Sequence, residues 1–306
     1  MESSVRVSVL TPTHNRADKI GRLYQSLCQS TYKNFEWIII DDGSTDNTRE
    51  VITSWIGQSP FPIEYIYQEN SGKYVALNKL YALARGEYCF QIDDDDDELL
   101  PTAMERGTAT WDNMPDGIRE KTWCVCGLCR DAQTGATVGG YFPDNINGLS
   151  ENEKKRALKA VARGERCGFQ KVCVVQQFKF PIIEGCKFIP EGYLWNKISS
   201  CYDQWYCNEV FRVYHQFEGE CLSHRPVNKA RFESDFNLYR YILSTNNRDL
   251  PYNKIDWLKA IYFLRRSVTS LQLNEKEITS EMNFKNKFAF FLFRFPCWLL
   301  RKRRGE

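Results

Sequence analysis

The first hundred residues alternate between short apolar runs rich in β-branched residues and segments whose apolar positions recur at a helical spacing. The runs predict strands at 5–10, 35–40, 63–67 and 87–92. Between the first two strands, Ile20, Leu23 and Leu27 share one face of a predicted helix. Repeated strand–helix alternation of this kind indicates a mostly parallel, right-handed α/β sheet flanked by helices.

Polar residues follow each predicted strand where it ends. The strands lead into 11–16, 41–42, 70–73 and 93–98. Because ligands bind beyond the carboxyl ends of the strands in such sheets, we expect one crevice to collect these side chains. The last segment is six consecutive carboxylates, which repel one another unless a cation or solvent relieves them. Mg²⁺ commonly binds one or two carboxylates together with substrate phosphates. We therefore predict a metal–phosphate site here, with a solvated acidic run as the alternative.

Composition narrows the class of protein. The chain is 42% hydrophobic and 26% charged, as in globular proteins, and its net charge of +2 gives no reason to expect a nucleic-acid partner. We interpret the 12 cysteines as free thiols in a reducing cytoplasm, because the first residues lead into a strand without a signal peptide. The G-x-G-x-x-G and phosphate-loop patterns are missing, which disfavours a dinucleotide dehydrogenase or a P-loop enzyme.

The later part of the chain is less regular. Strands are predicted at 170–180 and 209–214, a short helix after Pro190, and helices from Phe232 onwards. The segment 284–304 carries seven Lys and Arg and no acid among its aromatic residues. It is shorter than a spanning helix needs in apolar length, and it suits a helix that lies on an anionic membrane surface. The alternative is a helix that covers the core of the catalytic domain and ends in a basic tail.

Four blocks of sequence carry a resemblance to a known family. They lie at 7–16, 36–46, 70–88 and 92–96. In this order they resemble the opening strand, the uracil-binding loop, the third block and the D-x-D metal motif of family 2 inverting glycosyltransferases with the Rossmann-like GT-A fold. Beyond Pro101 the similarity rests mainly on 190–196. The resemblance implies a catalytic domain at 1–225, with a nucleotide-sugar-binding half at 1–101 and an acceptor half at 102–225, and a helical extension at 226–306.

The resemblance also implies an activity and its site residues. It implies metal-assisted transfer of a sugar, with inversion, from a nucleotide-sugar donor (most often a UDP-sugar) to a hydroxyl of a saccharide or lipid-linked saccharide. The cofactor is Mg²⁺ or Mn²⁺, held by Asp95 and Asp93. The residues assigned to the donor are Thr11, Arg16, Asp42, Lys73, Asp93 and Asp94. Such a protein is expected in the cytoplasm, peripheral at the inner face of the cytoplasmic membrane.

The catalytic base is assigned to Glu191. Many relatives carry Glu-Asp where this chain has Glu191 and Gly192, and in some of them the aspartate is the base; only Glu191 offers a carboxylate here. The alternative is that Glu191 merely stabilises a helix N-terminus. Two other functions stay open: a sugar nucleotidyltransferase, which should show a glycine-rich loop that 11–16 lacks, and an inactive nucleotide-sugar-binding or membrane scaffold protein.

Overall fold

The structure is a computed structural model that describes residues 5–94, 98–161, 164–215, 228–244, 254–280 and 282–293. These residues fall into two units. The first contains the described residues of Met1–Lys179 and Ile198–Gln216, and the second those of Phe180–Lys197 and Phe217–Glu306. The domain boundary predicted at residue 225 lies outside the described residues, as do Asp95 and the tail after Phe293.

The first unit is built on one sheet. Its strands are β1 (Val7–Thr13), β2 (Phe35–Asp42), β3 (Ile63–Gln68), β4 (Tyr88–Gln91), β5 (Glu98–Leu99), β6 (Thr122–Asp131), β7 (Arg166–Lys171) and β8 (Asp203–Tyr214). They lie in the order β3-β2-β1-β4-β7-β6-β8-β5. The first four strands pair in parallel, and so do β6 and β8, whereas β7 and β5 run antiparallel to their neighbours. The predicted α/β architecture is therefore confirmed.

Helices pack against the sheet, and the apolar core lies between the helices and the strands. They are α1 (Ile20–Cys28), α2 (Thr48–Trp55), α3 (Lys73–Leu83), α4 (Ala103–Asp112), α5 (Asp116–Arg119), α6 (Glu151–Val161) and α7 (Val172–Val175). Every residue of β1 and β2 is buried, as expected for central parallel strands covered on both faces. Leu23 and Leu27 of α1 join Val9 and Trp37 of the strands in one apolar cluster.

The prediction of a strand at 170–180 was wrong beyond its first residues. Strand β7 ends at Lys171, and the apolar run that follows forms the short helix α7. Short apolar runs do not separate a buried strand from a buried helical turn, so the sequence pattern left this choice to tertiary packing. The ten cysteines that the structure describes are free, as predicted.

The second unit is helical. It contains most of α8 (Gly192–Ile198), together with α9 (Lys229–Ser244), α10 (Lys254–Ser270), α11 (Glu275–Ser280) and α12 (Phe284–Leu292). Helix α10 packs against both α9 and α12. The predicted C-terminal helices are therefore present. In the described ranges, no helix combines the length and the apolar character that crossing a membrane requires.

Candidate active site

The carboxyl ends of β1, β2 and β4 meet at one polar edge of the sheet. His14 follows β1 and joins the three strand ends. Its Nδ1 donates to the Asp42 carbonyl oxygen at 2.9 Å, and its backbone N–H donates to the Asp94 carboxylate at 3.2 Å. We call the set His14, Arg16, Asp42, Lys73, Asp93 and Asp94 the carboxyl edge. His14 was not among the predicted site residues, although its place in the loop after the first strand could have indicated it.

Asn15 ties the loop after β1 to the loop after β2. Its backbone has a φ of 53°, a left-handed conformation that asparagine tolerates better than most residues. Its backbone N–H donates to Ser44 Oγ at 2.9 Å, and its side-chain oxygen accepts from the Thr45 N–H at 2.8 Å. The neighbouring Arg16 N–H donates to Thr48 Oγ1 at 2.9 Å. Arg16 is thus held by its backbone at the carboxyl edge.

Asp42 fixes the loop that leads into α3. Its buried carboxylate accepts from the backbone N–H groups of Ser71 and Gly72 at 2.7 and 2.8 Å, and from Gln68 Nε2 at 2.7 Å. A carboxylate offers about four acceptor positions, so three of them are filled by the chain itself. The predicted contact of Asp42 with the donor has one acceptor position left and stays a prediction.

Two ion pairs complete the carboxyl edge. Lys73 Nζ lies 2.8 Å from the Asp93 carboxylate, and Arg16 Nε lies 3.6 Å from Asp94 Oδ1. Burial alone would raise the pKa of Asp93, but the positive charges of Lys73, Arg212 and Arg16 together hold it below its ordinary value. Asp93 is therefore a carboxylate near neutral pH, the form that ligates a hard cation.

Arg212 is a contributor that the sequence reasoning missed. It lies on β8, its side chain is buried, and its Nη2 stands 3.3 Å from Glu165 Oε2. Its charge acts on Asp93 and also on Cys129, where a hydrogen bond with Cys167 and the Arg212 charge lower the pKa of the thiol to about 7 against the effect of burial. The sequence signal for Arg212 was an arginine inside the apolar run of a strand, because an arginine is rarely buried unless it is paired with an acidic group.

Thr11 does not line the crevice as expected. It is fully buried, and its hydroxyl accepts a hydrogen bond from Trp37 Nε1 at 3.0 Å. Side chains alternate along a strand, which places Thr11 on the same face as Val7 and Val9, in the core. This position is a correction: its hydroxyl is engaged by Trp37 inside the protein.

The remaining predicted residues lie elsewhere. Asp95 is outside the described residues; among those that the structure does describe, no three His, Cys, Asp or Glu side chains gather closely enough to hold a metal. Glu191 belongs to the second unit, in the turn before α8, and its side chain is partly exposed. Its carbonyl oxygen accepts from the Leu194 and Trp195 N–H groups at 3.0 and 3.1 Å. Its role as base stays a prediction.

Comparisons with known proteins concern the sequence family and the fold. Residues 8–118 match the family model described as Glycosyl transferase family 2. The chain is 26% identical over 225 residues to the GalNAc(5)-diNAcBac-PP-undecaprenol beta-1,3-glucosyltransferase of Campylobacter jejuni, which covers 71% of this chain and 67% of that protein. Three further curated relatives are 36% to 39% identical over 92 to 126 residues, and the chain spans only 29% to 44% of their length.

Two solved structures resemble the whole chain. The crystal structure of S. aureus TarS 1–349 with UDP-GlcNAc has a TM-score of 0.54 at 15% identity, covering 93% of this chain and 78% of that chain. The mannosyltransferase PcManGT from Pyrobaculum calidifontis, with GDP-Man and Mn²⁺, has a TM-score of 0.52 at 16% identity, covering 97% and 81%. At such identity these similarities concern the fold. The match to glycosyl transferase family 2 therefore concerns the segment 8–118, and the fold is the GT-A fold of these glycosyltransferase structures.

Proposed function

We propose that this chain is a glycosyltransferase that moves a sugar from a nucleotide-sugar donor, a UDP-sugar in the first instance, to a hydroxyl of a saccharide or lipid-linked saccharide, with inversion at the anomeric carbon. The observation that carries the proposal is the carboxyl edge, where Lys73 and Arg16 stand beside Asp93 and Asp94 at the strand ends. Cations and carboxylates in one crevice suit a nucleoside diphosphate that binds with a divalent cation. The UDP-GlcNAc bound to TarS and the undecaprenol-linked acceptor named for the Campylobacter relative support these classes of donor and acceptor.

The basic residues of the carboxyl edge would bind the donor diphosphate. Lys73 begins α3, and Asp42 fixes the loop before it, so the ammonium group is directed before the donor arrives. Arg16 is held at its backbone by Thr48. Because both cations are positioned in advance, less conformational freedom is lost when phosphate oxygens replace the carboxylates as their partners.

Asp93 and Asp95 would hold the metal, and the donor set fits this role because Asp93 is kept ionised by the charges around it. The structure of PcManGT, a neighbour in fold, is a complex with GDP-Man and Mn²⁺. When bound, Mg²⁺ or Mn²⁺ would stabilise the negative charge that develops on the leaving diphosphate. Asp94, bonded to the His14 N–H and near Arg16, would lie next to the ribose or the donor sugar.

Glu191 would take the proton of the acceptor hydroxyl. It supplies the single carboxylate of the Glu191–Gly192 pair, and its side chain is partly exposed. A general base of this kind contributes about 10²–10⁴-fold to the rate. We expect Glu191→Gln to lose turnover while donor binding is retained. Glu184→Gln, which changes an exposed glutamate of the same unit, is the matched control. Loss of donor binding in Glu191→Gln would contradict the assignment.

The test of the function is a thermal-shift panel of nucleotide sugars with Mn²⁺, followed by measurement of the products. A donor that binds the folded state raises the melting temperature, and a true donor should then release its nucleoside diphosphate. Release of pyrophosphate would identify a nucleotidyltransferase instead. Binding without turnover on any saccharide or lipid-linked acceptor would identify an inactive binding protein.

A further inference from the structure

Helix α12 presents an apolar stripe on its outer face. The stripe consists of Phe284, Phe288, Phe291 and Leu292, which are 84%, 60%, 49% and 63% exposed. At about 100° per residue these positions fall within about 100° of the helix circumference, so they form one continuous strip. Buried apolar side chains are ordinary, but several large exposed ones on one face indicate an interaction surface.

The opposite face of α12 is fixed to the second unit. Asn286 is buried, accepts from Trp257 Nε1 at 2.8 Å and donates to the Leu243 carbonyl oxygen at 2.9 Å. Phe290 is fully buried beneath the Arg265 guanidinium, which lies 4.7 Å from its ring centre. Asn283 caps the helix by accepting from the Asn286 N–H at 2.9 Å. These contacts fix the rotation of α12 about its own axis, so the four residues of the stripe stay on the exposed face of the helix.

Basic residues border the stripe. At the same helical spacing, Lys285 falls about 20° beyond one side of the strip, with its Nζ 4.5 Å from the Trp257 ring centre, and Lys287 falls about 40° beyond the other side. The sequence from 284 to 304 adds five more Lys and Arg and contains no acid. A strip of aromatic side chains between lysines is the pattern of a helix that lies in a membrane interface, with its rings among the acyl chains and its cations at anionic headgroups.

We propose that the stripe of α12 docks on the surface of an anionic lipid bilayer and holds the protein there peripherally. Helix α12 has nine residues, far fewer than the roughly 20 that span a bilayer, so it lies on the surface. This inference goes beyond the proposed function, since vesicle binding is measured without donor or acceptor. At such a surface, the lipid-linked acceptors of the proposed function would be within reach.

A second copy of the chain is a poorer occupant than a bilayer. The stripe offers roughly 500 Å² of exposed apolar surface if each aromatic side chain contributes about 200 Å² when fully exposed, whereas a stable interface buries about 800 Å² on each partner. In a symmetric dimer, each stripe would also face the same stripe, which would bring the lysines of one copy to those of the other. Anionic headgroups reverse that repulsion into attraction.

The experiment is co-sedimentation of the full chain with large vesicles, either of phosphatidylcholine alone or of phosphatidylcholine mixed with phosphatidylglycerol. We expect the wild-type chain to bind the mixed vesicles. The double variant Phe284→Ser/Phe288→Ser should lose at least about tenfold in its partition coefficient, because each substitution removes an aromatic group from the interface. Tyr141→Ser, at an exposed aromatic residue in the first unit, is the matched control and should bind as wild type.

The contribution of charge has its own pair of variants. Lys285→Gln/Lys287→Gln should weaken binding to the mixed vesicles several-fold more than Lys229→Gln/Lys276→Gln, which removes two exposed lysines elsewhere in the same unit. Added salt should reduce this difference, because it screens the attraction between exposed lysines and headgroups. The screening length is about 10 Å at 0.1 M salt and shortens as salt is added. Melting temperatures of all variants confirm that each is folded, and both phenylalanines are exposed enough for serine to be tolerated.

Three results would overturn the proposal. The first is equal vesicle binding by wild type and Phe284→Ser/Phe288→Ser. The second is a dimer of wild type, seen by light scattering, that the same variant abolishes, which would make a second copy the occupant. The third is binding of wild type to phosphatidylcholine vesicles that is as strong as binding to the mixed vesicles, which would show that anionic headgroups do not attract this face.

Discussion

The two ends of strands β1 and β2 both carry buried carboxylates, but they use them differently. At the amino end, Ser8 and Glu36 are cross-strand partners, and Ser8 Oγ donates to Glu36 Oε1 at 2.6 Å. The backbone N–H groups of Arg85 and Gly86 donate to the same pair, and the Arg85 guanidinium pairs with Glu36. We call these four residues the amino edge. They close the turn between α3 and β4.

The two edges share some kinds of partner and differ in where they lie. At the carboxyl edge, Lys73 pairs with Asp93, and Asp94 accepts from the His14 backbone N–H and lies near Arg16. At the amino edge, Arg85 supplies both its backbone N–H and its guanidinium to Glu36. Buried carboxylates alone therefore do not indicate a ligand site; a position at the carboxyl ends of parallel strands does. Asp42 lies at those ends, although it resembles the amino edge in accepting from backbone N–H groups, those of Ser71 and Gly72.

The largest expected effect comes from Asp93→Asn at the carboxyl edge. The amide keeps the shape of the side chain but removes the negative charge that a metal ion would need, so donor turnover should fall by about 10²–10³-fold or more. The measurement is release of nucleoside diphosphate at saturating donor and Mn²⁺, with the melting temperature recorded in parallel. Asp112→Asn, which alters a surface carboxylate paired with Arg6, should leave turnover near wild type. Full activity of Asp93→Asn, or activity that persists without divalent metal, would remove the metal role.

At the amino edge, Glu36→Ala should lower the stability of the fold and leave turnover nearly unchanged, the opposite of Asp93→Asn. Glu36 is 1% exposed, and its loss leaves the Ser8 hydroxyl and the Arg85 N–H with fewer acceptors. We expect the free energy of unfolding to fall by about 2–3 kcal/mol, while turnover per folded molecule stays near wild type. Urea denaturation checks the first part, and Glu36→Gln, which keeps an acceptor, should lose less. A loss of turnover at unchanged stability would place this edge in the catalytic machinery.

The sequence predicted that the strand ends of the carboxyl edge come together, because strand order and strand ends follow from short-range patterns. Asp42, Lys73 and Asp93 come together as expected, since each follows or flanks a strand of the parallel sheet. The sequence pattern could not predict the amino edge. Ser8 and Glu36 lie inside apolar runs, and only their register across the two strands makes them partners.

Two other features depended on the side-chain face and on distant packing. Thr11 was assigned to the donor, but the alternation of side chains along β1 places it against Trp37. Arg212 acts on Asp93 from 119 positions away, through a strand that joins the far side of the sheet. No local pattern connects such residues, so their roles emerge only from the folded sheet.

The smallest expected effect is a change in the pH dependence of stability when Asp46, in the loop after β2, is replaced. This effect is measured without any ligand. Burial would raise the pKa of Asp46, but hydrogen bonds from the Thr48 hydroxyl and from the Ala17 and Thr48 N–H groups lower it below its usual 3.8. A lowered pKa in the folded state means that the unfolded chain takes up the proton first as pH falls, so this stabilisation is complete well above pH 3.8 and is lost below it. Melting temperatures from pH 7 to pH 3 should therefore fall slightly more for wild type than for Asp46→Asn, while Asp144→Asn, at an exposed acid, should follow wild type. Parallel curves for wild type and Asp46→Asn would mean that these bonds do not favour the ionised carboxylate.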